Sequence, residues 1–355
     1  MPNQNLKTYH EQAYIDNTLR LREILKSLPD FARDYFRAVE PKTSARTRIS
    51  YAYDIRVFFH FLMENNPAYK NYTMNMFTLQ DLERIEPVDI EEYQEYLKVY
   101  LNPEDKQMTN TEKGLSRKMS ALRSFYAYFF KRQVIKKNPT LLVDMPKLHE
   151  KAIIRLDTDE VASLLDYIEH GGDELTGQRK VYYEKTKNRD LAIITLLLGT
   201  GIRVSECVGL DIQDIDFKNN GIKVTRKGGN EMVVYFGEEV ADALKMYLYT
   251  SRKSAAPLPG HENALFLSTQ RRRMGVQAVE NMVKKYAREV TPNKKITPHK
   301  LRSTYGTTLY KETGDIYLVA DVLGHKDVNT TKKHYAAIDE NRRRQAAKAV
   351  RLREP

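Results

Sequence analysis

Cysteine is almost absent from this chain of 355 residues, which contains only Cys207. One cysteine excludes an internal disulfide and a cysteine-based metal cluster, so the sequence favours a reducing cytoplasm as its location. Long hydrophobic runs are also missing: the longest, LAIITLLL at residues 191–198, is far too short to span a bilayer. The N-terminal residues are polar and mixed in charge, unlike a signal peptide. We therefore expect a cytoplasmic protein that is neither secreted nor embedded in a membrane.

Basic residues, in contrast, are in excess. Lysine and arginine number 58 against 47 acidic residues, which gives a formal net charge of +11, and 41% of the residues are hydrophobic. This length and hydrophobic content allow two folded domains. The positive charge favours a polyanionic partner such as nucleic acid, although charge alone does not establish one.

The first half of the chain has the periodicity of amphipathic helices. Residues 44–66 place apolar side chains at helical spacing up to an NNP break, and residues 115–132 repeat the pattern. Five basic side chains on these two helices are candidates for contacts with DNA: Arg46, Arg48, Arg117, Lys118 and Arg123. The alternative for each is an ordinary solvated charge on a core helix.

A domain boundary is predicted near residues 146–155, where prolines and charged residues precede a new helix capped at Thr158. The second half is predicted to be mostly helical. Its one clear β element is a hairpin at residues 221–236, with a KGGN turn between two strands of alternating pattern. The polar residues 167–190 are predicted to form a loop or a short helix.

Cationic side chains stand at the edges of predicted elements in the second half. Arg203 opens a helix just after the Thr200–Gly201 break, and Lys227 lies in the hairpin turn. The alternative for Arg203 is a surface ion pair with Glu206, three residues along a helix. The alternative for Lys227 is an ordinary exposed turn lysine.

Two further segments add histidines and a tyrosine. A helix predicted to begin at a proline carries His299 and Arg302 on one face, at a spacing of three residues. In LGHKDVNTTKKHYAAIDE, Gly324 is predicted to end one helix and His325 to lie at the turn, and the next helix carries Tyr335.

These side chains suit phosphoryl transfer without a metal. The planar guanidinium groups of Arg203 and Arg302 can hold two phosphate oxygens in fixed geometry. A tyrosine hydroxyl is a poor nucleophile at neutral pH unless a base such as His299 accepts its proton. Lys227 can give a proton to the departing sugar oxygen. A phosphotyrosine ester would store the bond energy, so rejoining would need no ATP.

The motifs TGIRVSE, TRKGG, HKLR and LGH followed by a tyrosine, in this order, resemble the tyrosine recombinase (phage integrase) family over nearly all of residues 30–340. The run KNRDLAIITLLLGTGIRVSECVGLDIQDIDF, the VTRKGG hairpin and LPDFARDYF look most like the single-recombinase Xer type. Enzymes of this type resolve chromosome dimers in some Gram-positive bacteria. Integrases of mobile elements share the same catalytic motifs, so that alternative remains.

The resemblance implies a mainly α fold with a small β-hairpin or sheet, in two domains that close on DNA as a clamp. The implied divisions are an N-terminal extension (1–27), a helical, SAM-like core-binding domain (28–148), a catalytic domain (149–341) and a tail (342–355). It also implies that the basic tail docks on a neighbouring protomer. Four protomers would synapse two duplexes carrying a specific recombination site, and the protein off DNA would be a monomer or dimer.

Roles for five site residues also follow from the resemblance. Arg203 and Arg302 would bind the scissile phosphate, Lys227 would be the general acid, and His299 the general base. His325 would hydrogen-bond the phosphate and assist proton transfer. No metal or cofactor is expected.

Tyr335 would be the nucleophile, forming a 3′-phosphotyrosine and freeing a 5′-hydroxyl. It follows His325 by ten residues, one more than is common in the family. The neighbouring His334 would point about 100° away around a helix, which makes it a candidate DNA contact and not a catalytic group.

Three other functions fit parts of the pattern. A DNA-binding regulator without catalysis would explain the charge and the helices, but would leave the order of the six catalytic candidates as a coincidence. A type IB topoisomerase shares the chemistry, and strand exchange between two sites distinguishes it. A histidine–metal hydrolase would lose its activity in the presence of a chelator.

Overall fold

The computed structural model describes residues 8–101, 106–149, 153–226, 229–325 and residue 328. The chain divides into two compact units, Met1–Lys151 and Ala152–Pro355. Within the described ranges each unit is mainly helical with one small antiparallel sheet, which confirms the predicted fold class. No helix in these ranges is both long enough and apolar enough to cross a membrane.

The described residues of the first unit form these helices and strands: α1 (Tyr9–Leu25), α2 (Ala32–Ala38), α3 (Ala45–Asn65), α4 (Leu79–Arg84), α5 (Pro87–Tyr96), β1 (Val99–Leu101), β2 (Gln107–Thr109) and α6 (Glu112–Lys131). Short 3-10 turns lie at Glu40–Lys42, Pro67–Tyr69, Met74–Met76 and Pro139–Leu141. Helices α3 and α6 match the two predicted amphipathic segments. The sequence pattern does not predict the β1–β2 hairpin, because strands of three residues are too short to show a clear alternation.

Aromatic rings fill the core of the first unit. Four apolar residues at helical spacing in α3 are fully buried: Ile55, Phe58, Phe59 and Leu62. The Phe59 ring meets Phe125 of α6 edge to face, with 6.3 Å between the ring centroids. Leu21 and Ile24 of α1 lie in the same core. The segment predicted as an N-terminal extension therefore includes a helix that packs within this unit.

The described residues of the second unit form a longer series: α7 (Thr158–His170), α8 (Gly177–Thr200), α9 (Val204–Gly209), β3 (Ile215–Asp216), β4 (Gly221–Thr225), β5 (Glu231–Tyr235), α10 (Glu238–Tyr247), α11 (Val276–Val290), α12 (Pro298–Thr313) and α13 (Ile316–Leu323). A 3-10 turn lies at Ile212–Asp214 and a π-helical turn at Leu248–Arg252. The N-cap of α7 is Asp157, one residue before the predicted Thr158. Its amide donates to Glu160 Oε2 at 2.7 Å, closing a capping box.

Helix α8 is the central element of the second unit. It contacts α7, α10 and α12, and its apolar run at residues 191–198 is mostly buried. The polar residues 177–190 form the first half of the same helix, so the prediction of a loop or short helix is wrong there. Tyr183 provides the physical reason, because its ring is buried and its hydroxyl donates to the Ile168 carbonyl of α7 at 2.8 Å.

The second sheet contains the predicted hairpin. Strands β4 and β5 are antiparallel, with Ile222 opposite Val234 and Val224 opposite Met232, and the short β3 pairs with the other edge of β4. Beyond the strands, the amide of Arg226 donates to the Asn230 carbonyl at 2.7 Å. The hairpin pairing therefore extends to the residue just before Lys227.

Candidate active site

Arg203 is held at the junction of α8 and α9. Gly201 ends α8 with φ of 62°, in the left-handed region that favours glycine, and Arg203 is the N-cap of α9, as predicted. Its Nη1 donates to Glu206 Oε1 at 2.7 Å, and its amide donates to Glu206 Oε2 at 2.8 Å. Its Nη2 donates to the Gly324 carbonyl at 3.3 Å. Since the Glu206 side chain is only 3% exposed, the pair is not the surface pair considered as an alternative; the buried carboxylate orients the arginine.

Arg302 reaches the same junction from α12. Pro298 is the first residue of that helix, as predicted, and Arg302 lies in its second turn with 5% of its surface exposed. Its Nη1 donates to the Gly201 carbonyl at 2.5 Å, and its Nη2 donates to the Leu323 carbonyl at the end of α13. His299 is exposed in the first turn of the same helix. The two candidates therefore share a helix but differ in burial.

Helix α13 ends as the sequence predicts. Gly324 has φ of 62° and is followed directly by His325. The His325 amide donates to the Ala320 carbonyl at 2.9 Å, and the Gly324 amide donates to the Asp321 carbonyl at 2.7 Å. This turn fixes the backbone of the half-buried His325 at the helix end.

Arg226, which follows β4, is a member of this cluster that the sequence reasoning missed. Its Nη2 donates to the Val322 carbonyl at 2.7 Å. Three consecutive carbonyls of α13 thus each accept from a different arginine: Val322 from Arg226, Leu323 from Arg302, and Gly324 from Arg203. The last carbonyls of a helix lack partners within the helix and carry partial negative charge, so they attract guanidinium groups. The available signal was that Arg226 directly precedes Lys227 in the TRKGG motif.

Positive charge is concentrated at this helix end. Burial lowers the pKa of Arg226; Glu206 opposes that shift, the charge of Arg203 adds to it, and Asp321 opposes it. Three arginines from three separate elements therefore donate to three consecutive carbonyls. The carboxylates of Glu206 and Asp321 lie close enough to affect the pKa of Arg226. Of these three arginines, Arg203 and Arg302 are the ones assigned to an incoming phosphate, to which guanidinium groups donate strongly.

Lys227, His334 and Tyr335 lie outside the described residues, as does the tail at 342–355. The structure does describe the residues on either side of Lys227 and Gly228. The Gly229 amide donates to the Arg226 carbonyl at 3.0 Å. Of the six catalytic candidates, four are therefore described, and Arg203, Arg302 and His325 meet at the end of α13.

Two of the candidate DNA contacts in the first unit surround a buried carboxylate. Asp54 of α3 is 2% exposed and pairs with both Arg117 and Lys118 of α6, the latter at 3.1 Å. The Lys118 side chain is 8% exposed, whereas that of Arg117 is 46% exposed. This geometry favours a structural role for Lys118, since its ammonium has little surface to offer a phosphate.

The other three candidates also differ in their surroundings. Arg48 is buried and pairs with Glu40 at 2.7 Å, which favours a structural role. Arg123 donates to the backbone carbonyls of Thr140 and Val143, tying α6 to the segment that follows it. Arg46 is exposed at the start of α3 and remains suited to contact DNA.

Among the residues that the structure describes, no three His, Cys, Asp or Glu side chains are grouped closely enough to hold a metal ion. The donors at the end of α13 are guanidinium groups, which bind anions.

The chain is similar in sequence to known proteins over most of its length. The family model described as "Phage integrase family" matches residues 154–342, which lie in the second unit. The chain is 33% identical over 319 residues to tyrosine recombinase XerC of Caldanaerobacter subterraneus subsp. tengcongensis, covering 88% of this chain and 83% of the relative. It is 31% identical over 337 residues to tyrosine recombinase XerS of Streptococcus thermophilus, covering 88% of this chain and 93% of the relative.

Solved structures with similar folds include recombinases in complex with DNA. XerH recombinase bound to palindromic difH substrate matches with a TM-score of 0.61 and 18% identity, over 86% of this chain and 79% of that one. The Tn1549 transposon integrase in complex with a circular intermediate DNA matches with a TM-score of 0.60 and 20% identity, over 87% and 97% of the two chains. At these identities the matches show the fold.

Proposed function

This chain belongs to the phage integrase family, as a site-specific, Xer-type tyrosine recombinase that breaks and rejoins DNA, and we propose that Tyr335 is its nucleophile. In this mechanism Arg203 and Arg302 bind the scissile phosphate. His299 is the general base and Lys227 is the general acid. His325 hydrogen-bonds the phosphate. The reaction uses neither a metal nor ATP.

One observation carries most of this proposal. Arg203 and Arg302 come from different helices, yet they donate to the adjacent carbonyls of Gly324 and Leu323, directly before His325. At the end of α13 both guanidinium groups donate to neutral carbonyl oxygens. A phosphate with a formal negative charge is a stronger acceptor, since charge-assisted hydrogen bonds are roughly twice as strong as neutral ones. The cluster is therefore suited to exchange these carbonyls for the oxygens of a phosphodiester.

The chemistry conserves the number of phosphoester bonds. The Tyr335 oxygen attacks phosphorus while His299 accepts the phenolic proton, and the bond from phosphorus to the 5′ oxygen breaks. Lys227 gives a proton to that 5′ oxygen, which leaves as a hydroxyl. The arginines stabilise the extra negative charge on the non-bridging oxygens. A 5′-hydroxyl from a partner strand then reverses these steps and rejoins the DNA.

The proposed partner is double-stranded DNA with a specific recombination site, bound by four protomers in the synapse. Support for the DNA partner comes from proteins of similar fold: XerH was crystallised on difH, and a lambda integrase dimer on a core site. We propose residues 28–148 as the core-binding domain, with Arg46 a phosphate contact, and residues 149–341 as the catalytic domain.

The tail at 342–355 docks on a neighbouring protomer, so deletion after Asn341 should impair synapsis. Unchanged tetramer formation would contradict the docking of the tail.

The proposed biological role is the resolution of chromosome dimers. Support comes from the likeness to XerS and XerC relatives over 88% of this chain. The second candidate is integration or excision of a mobile element, which the Tn1549 integrase match favours at the level of fold. Mapping the genomic site to which the protein becomes attached distinguishes them: a single chromosomal site supports dimer resolution, and the ends of an element support integration.

The first experiment traps the covalent complex. Fragments of the genome carrying the attachment site are rebuilt as duplexes with a nick beside the cleavage point, so that the freed strand diffuses away and the adduct accumulates. The wild-type protein should form the adduct equally with and without EDTA. Tyr335→Phe should bind the duplex normally and form none.

Each alternative function has its own outcome in this assay. A regulator forms no adduct, and a metal-dependent hydrolase loses cleavage in EDTA. A type IB topoisomerase forms the adduct but does not exchange strands between two sites. An adduct formed by Tyr335→Phe would show that another of the 23 tyrosines is the nucleophile.

A further inference from the structure

The described residues on the two sides of Lys227 and Gly228 hydrogen-bond to each other. Before it, the Arg226 amide donates to the Asn230 carbonyl at 2.7 Å. After it, the Gly229 amide donates back to the Arg226 carbonyl at 3.0 Å. Arg226 takes part in both contacts, so its position determines where the turn begins.

The side chain of Arg226 joins this turn to the end of α13. Its Nη2 donates to the Val322 carbonyl at 2.7 Å, across 96 residues of sequence. The guanidinium also lies directly against Gly324, where an added Cβ would come within 1.1 Å of Nη1. One side chain therefore connects the base of the Lys227 turn to the helix end that is followed by His325.

Burying the Arg226 guanidinium stabilises the fold less than burying an apolar side chain would. Nε and Nη1 of Arg226 are buried and have no hydrogen-bond partner among the described residues. Buried donors without partners are destabilising, and an apolar side chain of similar length would fill the same space without that cost. Stability alone therefore does not account for an arginine at this position.

We propose that Arg226 is a positioning residue for DNA cleavage, which fixes the turn carrying Lys227 against the end of α13. This inference rests on the proposed function and adds a residue to it. Arg226 does not itself bind the phosphate in this role, because two of its side-chain nitrogens are enclosed and the third is bonded to Val322. Its effect is exerted through Lys227, on protonation of the departing 5′ oxygen.

The test compares two substrates that differ at one atom. One nicked duplex has the natural 5′ oxygen at the scissile bond, and the other has sulfur there, which leaves without needing a proton from an acid. Arg226→Met removes the hydrogen bond but keeps an apolar chain, and Arg226→Lys keeps one donor. Lys223→Met is the matched control, since Lys223 is exposed on the same hairpin and its ammonium lies 3.4 Å from the exposed carboxylate of Glu231.

With the oxygen substrate, Arg226→Met should slow single-turnover cleavage at least about tenfold, the effect of losing one charge-assisted hydrogen bond. With the sulfur substrate its rate should return close to that of the wild type. DNA affinity and melting temperature should stay near the wild-type values. Arg226→Lys should be intermediate, and Lys223→Met unchanged on both substrates.

Three results would overturn the inference: no slowing, equal slowing on both substrates, or a fall in melting temperature that accounts for the lost rate. If the wild-type protein forms no adduct on either substrate, the proposed function itself fails. The two failures are therefore distinguishable, because only the second changes the wild-type reaction.

Gly324→Ala provides a second route to the same contact. The new Cβ must displace the Arg226 guanidinium, and the φ of 62° adds backbone strain. Gly324→Ala should slow cleavage less in the Arg226→Met background than in the wild type, because the guanidinium that the new Cβ displaces is already absent. Fully additive effects would show that the two residues act independently.

Discussion

Glu206 determines how Arg203 is presented, so its replacement is the most informative single change in the cluster. The carboxylate is 3% exposed and accepts two hydrogen bonds from Arg203, one from Nη1 at 2.7 Å and one from the backbone amide at 2.8 Å. Glu206→Gln keeps an oxygen that can accept from the amide and cap α9. The side-chain amide NH2 of the new glutamine faces the Arg203 guanidinium and cannot accept a hydrogen bond from it.

The expected magnitude follows from the bond that is lost. A hydrogen bond between charged groups contributes about 1.5–3 kcal/mol, which corresponds to roughly 10- to 150-fold in rate if all of it orients Arg203 in the transition state. Glu206→Gln should therefore lower adduct formation within this range while leaving the fold stable. Glu206→Ala should also lose the helix cap, at a further cost of about 1 kcal/mol of unfolding free energy.

The assay is single-turnover adduct formation on the nicked duplex, with urea denaturation run in parallel. Glu231→Gln is the matched control, because Glu231 forms an exposed pair with Lys223 and pairs of this kind contribute little. If Glu206→Gln cleaves within about twofold of the wild type, a step worth under 0.5 kcal/mol, the carboxylate does not orient Arg203 for catalysis.

Three further predictions concern buried groups. Arg302→Lys cannot donate to the Gly201 and Leu323 carbonyls in the same fork, so cleavage should fall about 100-fold; near-normal cleavage would contradict the bidentate role. Asp54→Ala leaves the buried Lys118 ammonium without its carboxylate and should lower the unfolding free energy by about 3–5 kcal/mol in urea, whereas a change below about 1 kcal/mol would refute it. Burial raises the pKa of the Cys207 thiol to about 12, so the thiol stays protonated at pH 8 and should react with a thiol reagent only after unfolding; rapid reaction of the native protein would contradict this.

Local chemistry made several parts of the site predictable from the sequence. Gly201 and Gly324 each adopt φ of 62°, a conformation that glycine tolerates best, so the ends of α8 and α13 could be placed from single residues. Pro298 likewise marks the first turn of α12. Arg203, His299 and His325 each lie within two residues of one of these markers, so the sequence alone could place them at helix ends.

Tertiary contacts determined what the sequence could not show. Arg226 meets Val322 across 96 residues, and no local pattern predicts that contact. The charge of Lys118 suggested DNA binding, but its burial depends on Asp54, 64 residues away. The polar half of α8 looked like a loop, because the packing of Tyr183 against α7 is not visible in composition. In each case a polar side chain gained an internal partner that only the folded chain provides.

The most direct test locates the covalent bond itself. The adduct from the wild-type protein and the nicked duplex is digested with protease and nuclease, and the modified peptide is identified by tandem mass spectrometry. The proposed mechanism predicts one modified residue, Tyr335, joined to the 3′ phosphate, with the same yield in EDTA. Attachment to any other residue, a 5′ linkage, or loss of the adduct in EDTA would contradict it.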